Sequence, residues 1–146
     1  VAEFSRRTGT TPDPEALAVA ASDMFTLNAA MLPVIAALER ARCPLGILSN
    51  TCAPHWRHVL ASRYALVPGP FSCLVLSHEV GSVKPQRGIY VAAAVKAGVA
   101  PESIFFADDI AAHVVAARDA GWDAEVFESA PKLAEDLLRR GIPLGL

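Results

Sequence analysis

The order of apolar and polar stretches predicts an α/β fold: a parallel sheet with helices on both faces. Short apolar runs alternate with longer runs of helical period, the pattern of successive βαβ units. Three of the apolar runs lead into polar residues at their carboxyl ends, where open α/β sheets place ligands. Hydrophobic residues make up 53% of the 146 residues, which suits a sheet covered on both sides, although much of that content is alanine.

Val1 to Gly9 is short and mixed, and Thr10-Thr11-Pro12-Asp13-Pro14 carries loop signals. Glu15 to Ala21 reads as a helix with Pro14 in its first turn. Leu27 to Arg42 reads as a stronger helix, because Leu27, Met31, Val34, Ile35 and Leu38 keep helical spacing. Pro33 inside it predicts a kink or a fresh start. Pro44 to Leu48 is a short strand ending in Ser49-Asn50-Thr51, and Pro54 opens a helix to about Arg63. Phe71 to Leu76 is the second strand, with a polar loop to Pro85 and a helix from about Gln86 to Ala97 that stops at Gly98. Ile104 to Ala107 is the third strand, ending in Asp108-Asp109, and Ile110 to Ala120 the helix after it. Ala124 to Phe127 is the fourth strand, and Lys132 to Arg140 the last helix, between Pro131 and Gly141. The crossovers are expected to be right-handed.

A formal charge of −2 without a Lys/Arg run argues against nucleic acid and anionic membrane as partners. The same apolar content allows an exposed patch that needs a partner. No apolar run is long enough to span a bilayer, and the polar start with Arg6 and Arg7 does not read as a signal peptide. Cys43, Cys52 and Cys73 are odd in number and form no C-x-x-C pair, so they read as reduced, mostly buried thiols of a cytoplasmic protein.

The chemistry sits at the three strand ends. Ser49 with Asn50 follows the first, Lys84 follows the second after a loop, and Asp108 with Asp109 follows the third. A hydroxyl and backbone amides can bond phosphoryl oxygens, while an ammonium and a carboxylate-held Mg²⁺ neutralise their charge. Each piece has a plainer reading: Ser49, Asp108 or Asp109 as a helix cap, and Lys84 as a solvated surface residue. Cys52, His55 and His58 are spaced as no familiar zinc set and lack a fourth ligand. His78 and Glu79 read as solvated loop, and Trp56 and Trp122 as packing residues.

Leu48-Ser49-Asn50-Thr51, Gly81-Ser82-Val83-Lys84-Pro85 with Ile89-Tyr90, and Phe106-Ala107-Asp108-Asp109 with Ala117 and Ala120-Gly121 resemble, in order, three motifs of the haloacid dehalogenase-like (HAD) superfamily of phosphohydrolases. The resemblance covers roughly Leu32 to Phe127 and implies a three-layer Rossmann-like core with part of a helical cap. It implies that Ser49 and Asn50 bind phosphoryl oxygen, that Lys84 steadies nucleophile and phosphate, and that Asp108 and Asp109 hold Mg²⁺. A small phosphorylated metabolite would be the substrate. His113 stands where the family often has Asn, which implies a supporting role rather than acid–base work. The paired acids favour phosphatases over the metal-free haloacid dehalogenases.

One departure stands out. The family's first motif, an Asp-x-Asp on a central strand, occurs nowhere; the aspartates are at 13, 23, 108, 109, 119, 123 and 136. Its loss removes the nucleophile and half of the expected metal ligands, and would part the sheet by about 9–10 Å, two strand spacings. The remedies are an upstream segment, strand exchange with another chain such as a second copy in a homodimer, or direct closure of the sheet. Val1 in place of Met favours the first. The expected organisation is a remnant of the cap and a connecting helix over 1–42 and a HAD-like core over 43–146. The expected function is an incomplete or inactive Mg²⁺-dependent phosphatase; the alternative is a non-catalytic phosphate-binding or dimerising relic.

Overall fold

In a computed structural model, described for residues 2–23, 25–61 and 67–145, four short parallel strands are embedded among eight helices. Helix α1 (Ala2–Thr8) forms where the mixed composition gave no element, with an Arg6–Glu3 ion pair one turn apart. Helix α2 (Pro14–Ser22) is capped by Asp13, whose carboxylate accepts from the Ala16 amide at 3.0 Å. The long helix expected from Leu27 is shorter: a 3₁₀ turn at Ala29–Met31 precedes α3 (Leu32–Arg40). Pro33 therefore marks a fresh start, its missing N–H falling in the first turn, where no intrahelical partner exists.

The remaining elements follow the expected order: β1 (Leu45–Ser49), α4 (Ala53–Ala61), β2 (Phe71–Leu76), α5 (Ser77–Val80), α6 (Arg87–Ala97), β3 (Phe105–Asp108), α7 (Ala111–Asp119), β4 (Asp123–Val126) and α8 (Ala130–Arg139). The short α5 is a single turn where a loop was expected, and Gly81 closes it in the left-handed region at φ 67°. The expected end of the α4 helix at Arg63 lies outside the described residues.

The sheet is divided. β1 pairs with β2 and β3 with β4, each in parallel, but among the described residues β1 and β3 do not pair. Among the described residues, direct closure of the sheet does not occur. The helical layers nevertheless span both halves. On one face, Ile89, Tyr90 and Ala93 of α6 and Val114 and Ala117 of α7 pack with Val75, Ala124 and Trp122, and Leu48 and Phe106 join them. Tyr90, Phe106 and Trp122 meet edge to face, with centroids 5.4–6.2 Å apart. On the other face, Val34, Ala37 and Leu38 of α3 pack with Leu133, Ala134 and Leu137 of α8 over Leu45, Phe105 and Ala107.

Two expectations need adjustment. The thiols are free, but Cys43 and Cys73 are only partly buried and Cys52 is exposed. The exposed apolar patch exists: Val91, Val95 and Val99 flank an open apolar groove of about 410 Å³ beside Tyr90 and Trp122. No described helix is long and apolar enough to cross a membrane.

Candidate functional site

The carboxyl ends of β1 and β3 meet at Lys84. Its ammonium donates to the Leu48 carbonyl at 2.9 Å and to Asp108 Oδ2 at 2.6 Å, and lies 5.6 Å from the centre of the Phe106 ring. The Lys84 and Asp108 side chains are 9% and 7% exposed, so this pair is shielded, unlike a solvated surface lysine. One residue thereby ties the two half-sheets together at the rim.

The loop that carries Lys84 is set from β1. Asn50 clasps its backbone twice: Oδ1 accepts from the Lys84 amide at 2.7 Å, and Nδ2 donates to the Lys84 carbonyl at 2.9 Å. This spends the Asn50 carboxamide on loop geometry. A second clasp lies beside it. Buried Ser77 accepts from the Thr51 amide and donates to the Thr51 carbonyl, both at 2.9 Å. Ser49 ends β1 half-buried and opposite Leu76, on the same rim.

Asp108 is the hub of the other half. Oδ1 accepts from the Ile110 amide at 2.9 Å and lies 2.9 Å from His113 Nδ1, while Oδ2 faces Lys84. A carboxylate can only accept, so His113 carries a proton on Nδ1 and donates it to Asp108. His113 is itself buried, and its carbonyl accepts from the Tyr90 hydroxyl at 2.8 Å. Burial opposes the Asp108 charge, but Lys84, the Ile110 amide and His113 together hold the carboxyl below the ordinary range. Burial, with the Asp108 charge adding to it, pushes the Tyr90 hydroxyl up to about 12. Asp108 therefore stays ionised and Tyr90 neutral.

Asp109 is exposed beside this hub. Asp108 and Asp109 offer the hard oxygens that suit Mg²⁺, yet both Asp108 oxygens already accept from donors. No group of three potential ligands occurs among the described residues. They do not by themselves complete a magnesium site. Neither remote aspartate makes up the deficit, since Asp13 caps α2 and Asp23 ends it. The same absence covers Cys52, His55 and His58; His55 instead meets the Phe25 ring edge-on at 5.2 Å.

Ser49, Lys84 and Asp108, distant in sequence, thus share one rim. Solved structures share the fold of this chain. A HAD family enzyme from Bacteroides thetaiotaomicron, a mutant with one aspartate replaced by alanine, in complex with magnesium and inorganic phosphate, superimposes with a TM-score of 0.75 at 25% identity, over 88% of this chain and 70% of its own. The fold is that of the HAD-like superfamily. A predicted HAD-like family hydrolase from Porphyromonas gingivalis matches this chain with a TM-score of 0.73 at 23% identity, over 93% of this chain and 70% of its own. A HAD phosphatase from Thermococcus onnurineus matches with a TM-score of 0.73 at 16% identity, over 92% and 68%. No protein-family model and no curated protein matches.

Two contributors escaped the sequence reading. The Leu48 carbonyl has no side-chain signature at all. Ser77 carried only the weak signal of a small polar residue directly after a strand.

Proposed function

We propose that this chain is the phosphate-gripping core of a Mg²⁺-dependent HAD phosphatase for a small phosphorylated metabolite, and that the 146 residues alone do not turn over substrate. The observation that carries this is Lys84, held by the Asn50 clasp across the rim between Ser49 and Asp108. A phosphoryl group there would meet the Ser49 hydroxyl and the Lys84 ammonium, which bond and neutralise its oxygens. The magnesium and phosphate bound by the Bacteroides enzyme support this class of ligand. Residues 1–42 read as a remnant of a cap with a connecting helix: α3 belongs to the core packing, whereas α2 lies against α4. The free thiols support a reducing, cytoplasmic setting.

A non-catalytic phosphate-binding relic is the second reading, and one observation favours it: both Asp108 oxygens already accept from protein donors, Lys84 on one and the Ile110 amide with His113 on the other. Phosphate titration followed by NMR, together with p-nitrophenyl phosphate turnover in Mg²⁺, tests both. The expected result is phosphate-dependent shifts at Ser49, Thr51 and Lys84, lost in Lys84→Ala, without turnover. Absence of those shifts overturns the phosphate reading; Mg²⁺-dependent turnover abolished by Asp108→Ala overturns the inactivity of the isolated chain.

A further inference from the structure

Helix α6 is apolar on both of its faces. Ile89, Tyr90, Ala93 and Ala94 are buried in the core, whereas Val91 and Val95 stand outward at 48% and 76% exposure. Residues four apart share a helix face, so these two valines form a ridge, and Val99, 47% exposed just past the Gly98 cap, extends it. The apolar groove runs beside the ridge, walled by the small residues Ala94, Gly98 and Ala120 and by Pro101. Single exposed valines need no explanation, but a ridge joined to an apolar groove marks a contact surface. Ridge and groove on one surface are also self-complementary, as a two-fold contact between identical chains requires.

The two ends of this surface carry opposite charge. Arg87 opens α6 one turn before Val91 and lines the groove. It is exposed and has no ion pair or hydrogen bond among the described residues. At the other end stands the carboxyl terminus of α6, the negative pole of the helix. Beside it, next to Pro101, Glu102 is exposed and equally without a partner among the described residues. The other long cations nearby are engaged along the outer edges of the half-sheets: Lys96 donates to the Leu74 carbonyl at 2.6 Å and Arg118 Nε to the Ala124 carbonyl at 2.8 Å. Arg87 is the cation left to this face.

We infer that two copies of the chain pair through this face, α6 antiparallel on α6 about a two-fold axis, the valine ridge of each lying in the groove of the other. Antiparallel order brings Arg87 to the negative end of the partner helix and to Glu102 of the partner subunit, twice over by symmetry. Parallel order would set like charges against each other at both ends. A second copy is the occupant because one surface supplies ridge, groove and both charges in the sequence such a pair needs. α6 begins three residues after Lys84, so the two Lys84 rims lie at opposite ends of the pair. No strand is exchanged, and the pairing stands apart from the phosphate reading.

Sedimentation velocity of the whole chain over about 10–500 µM, the range in which small interfaces associate, tests this. A monomer–dimer equilibrium is expected. Val95→Glu, at an exposed position and with an unchanged far-UV circular dichroism spectrum, should weaken it at least about tenfold by placing a charge in an apolar contact. Arg87→Glu should weaken it by a similar factor, and adding Glu102→Arg should restore it, because the pair is then reversed rather than broken. A chain that stays monomeric throughout overturns the inference. A dimer indifferent to Val95→Glu overturns it by placing the interface elsewhere, and a double variant no better than Arg87→Glu alone overturns the antiparallel arrangement and the inference with it.

Discussion

The β1–β2 and β3–β4 halves look alike in outline, since each is a parallel pair sealed along its outer edge by a long cation. They differ in how their carboxyl ends are made rigid. The first half uses neutral clasps from side chain to backbone, Asn50 on Lys84 and Ser77 on Thr51. The second uses charge, with Asp108 held by Lys84, His113 and the Ile110 amide. Neutral clasps shape a loop at little electrostatic cost, whereas a shielded carboxylate must keep its donors to remain ionised. Lys84 alone belongs to both schemes, so the halves are mechanically similar and chemically unequal.

The sharpest way to break this comparison is to remove Lys84. Lys84→Ala leaves Asp108 charged and shielded without its cation, and about 3 kcal/mol of stability should be lost at neutral pH, read by urea unfolding. A loss below about 1 kcal/mol, the range of exposed pairs, would mean that the helical layers hold the halves together without it.

Asp108→Asn sharpens the same point through pH. The folded-state pKa of Asp108 is depressed, so its stabilising contribution is present above the unfolded value of about 3.9 and is lost as pH falls through the lower folded value. The variant should be less stable than the parent by about 2 kcal/mol at pH 7, the scale of hydrogen bonds to a charged group. The difference should shrink below about pH 4; unfolding curves at pH 7 and pH 3 check it, and a constant difference would show that ionisation is not what matters. Asp123 and Asp136 are also depressed, chiefly by hydrogen bonds from Arg140 and Lys132, and cancel in that comparison.

Asn50→Ala probes the neutral half. Two hydrogen bonds to the Lys84 backbone vanish, costing about 1–2 kcal/mol, and without pH dependence between 3 and 7 because neither partner titrates. A pH-dependent loss would show that the Asn50 clasp acts through the Lys84–Asp108 pair, and the contrast between the halves would fail.

Much of this was legible in the chain. Apolar runs bounded by Pro and Gly located all four strands, since burial on two helical faces demands continuous apolar residues. The ordered set of Ser49, Lys84 and Asp108 was visible because strand ends share one rim in a parallel sheet. Three features were not. The α1 helix lacks any apolar period to reveal it. The part of Asn50 depends on a backbone 34 residues away, and the part of His113 on the hydrogen bond that Asp108 accepts. Local sequence carries no record of either partner.

Residue order by itself determined the alternation of elements, the parallel class and which side chains end the strands, because these follow from periodicity and turn chemistry along the chain. Tertiary structure decided that the sheet stands in two halves, that a long cation seals each outer edge, and that Lys84 spans the halves. Those depend on backbone groups whose partners come from distant segments, and hydrogen bonding across space leaves no pattern in the residues that accept it.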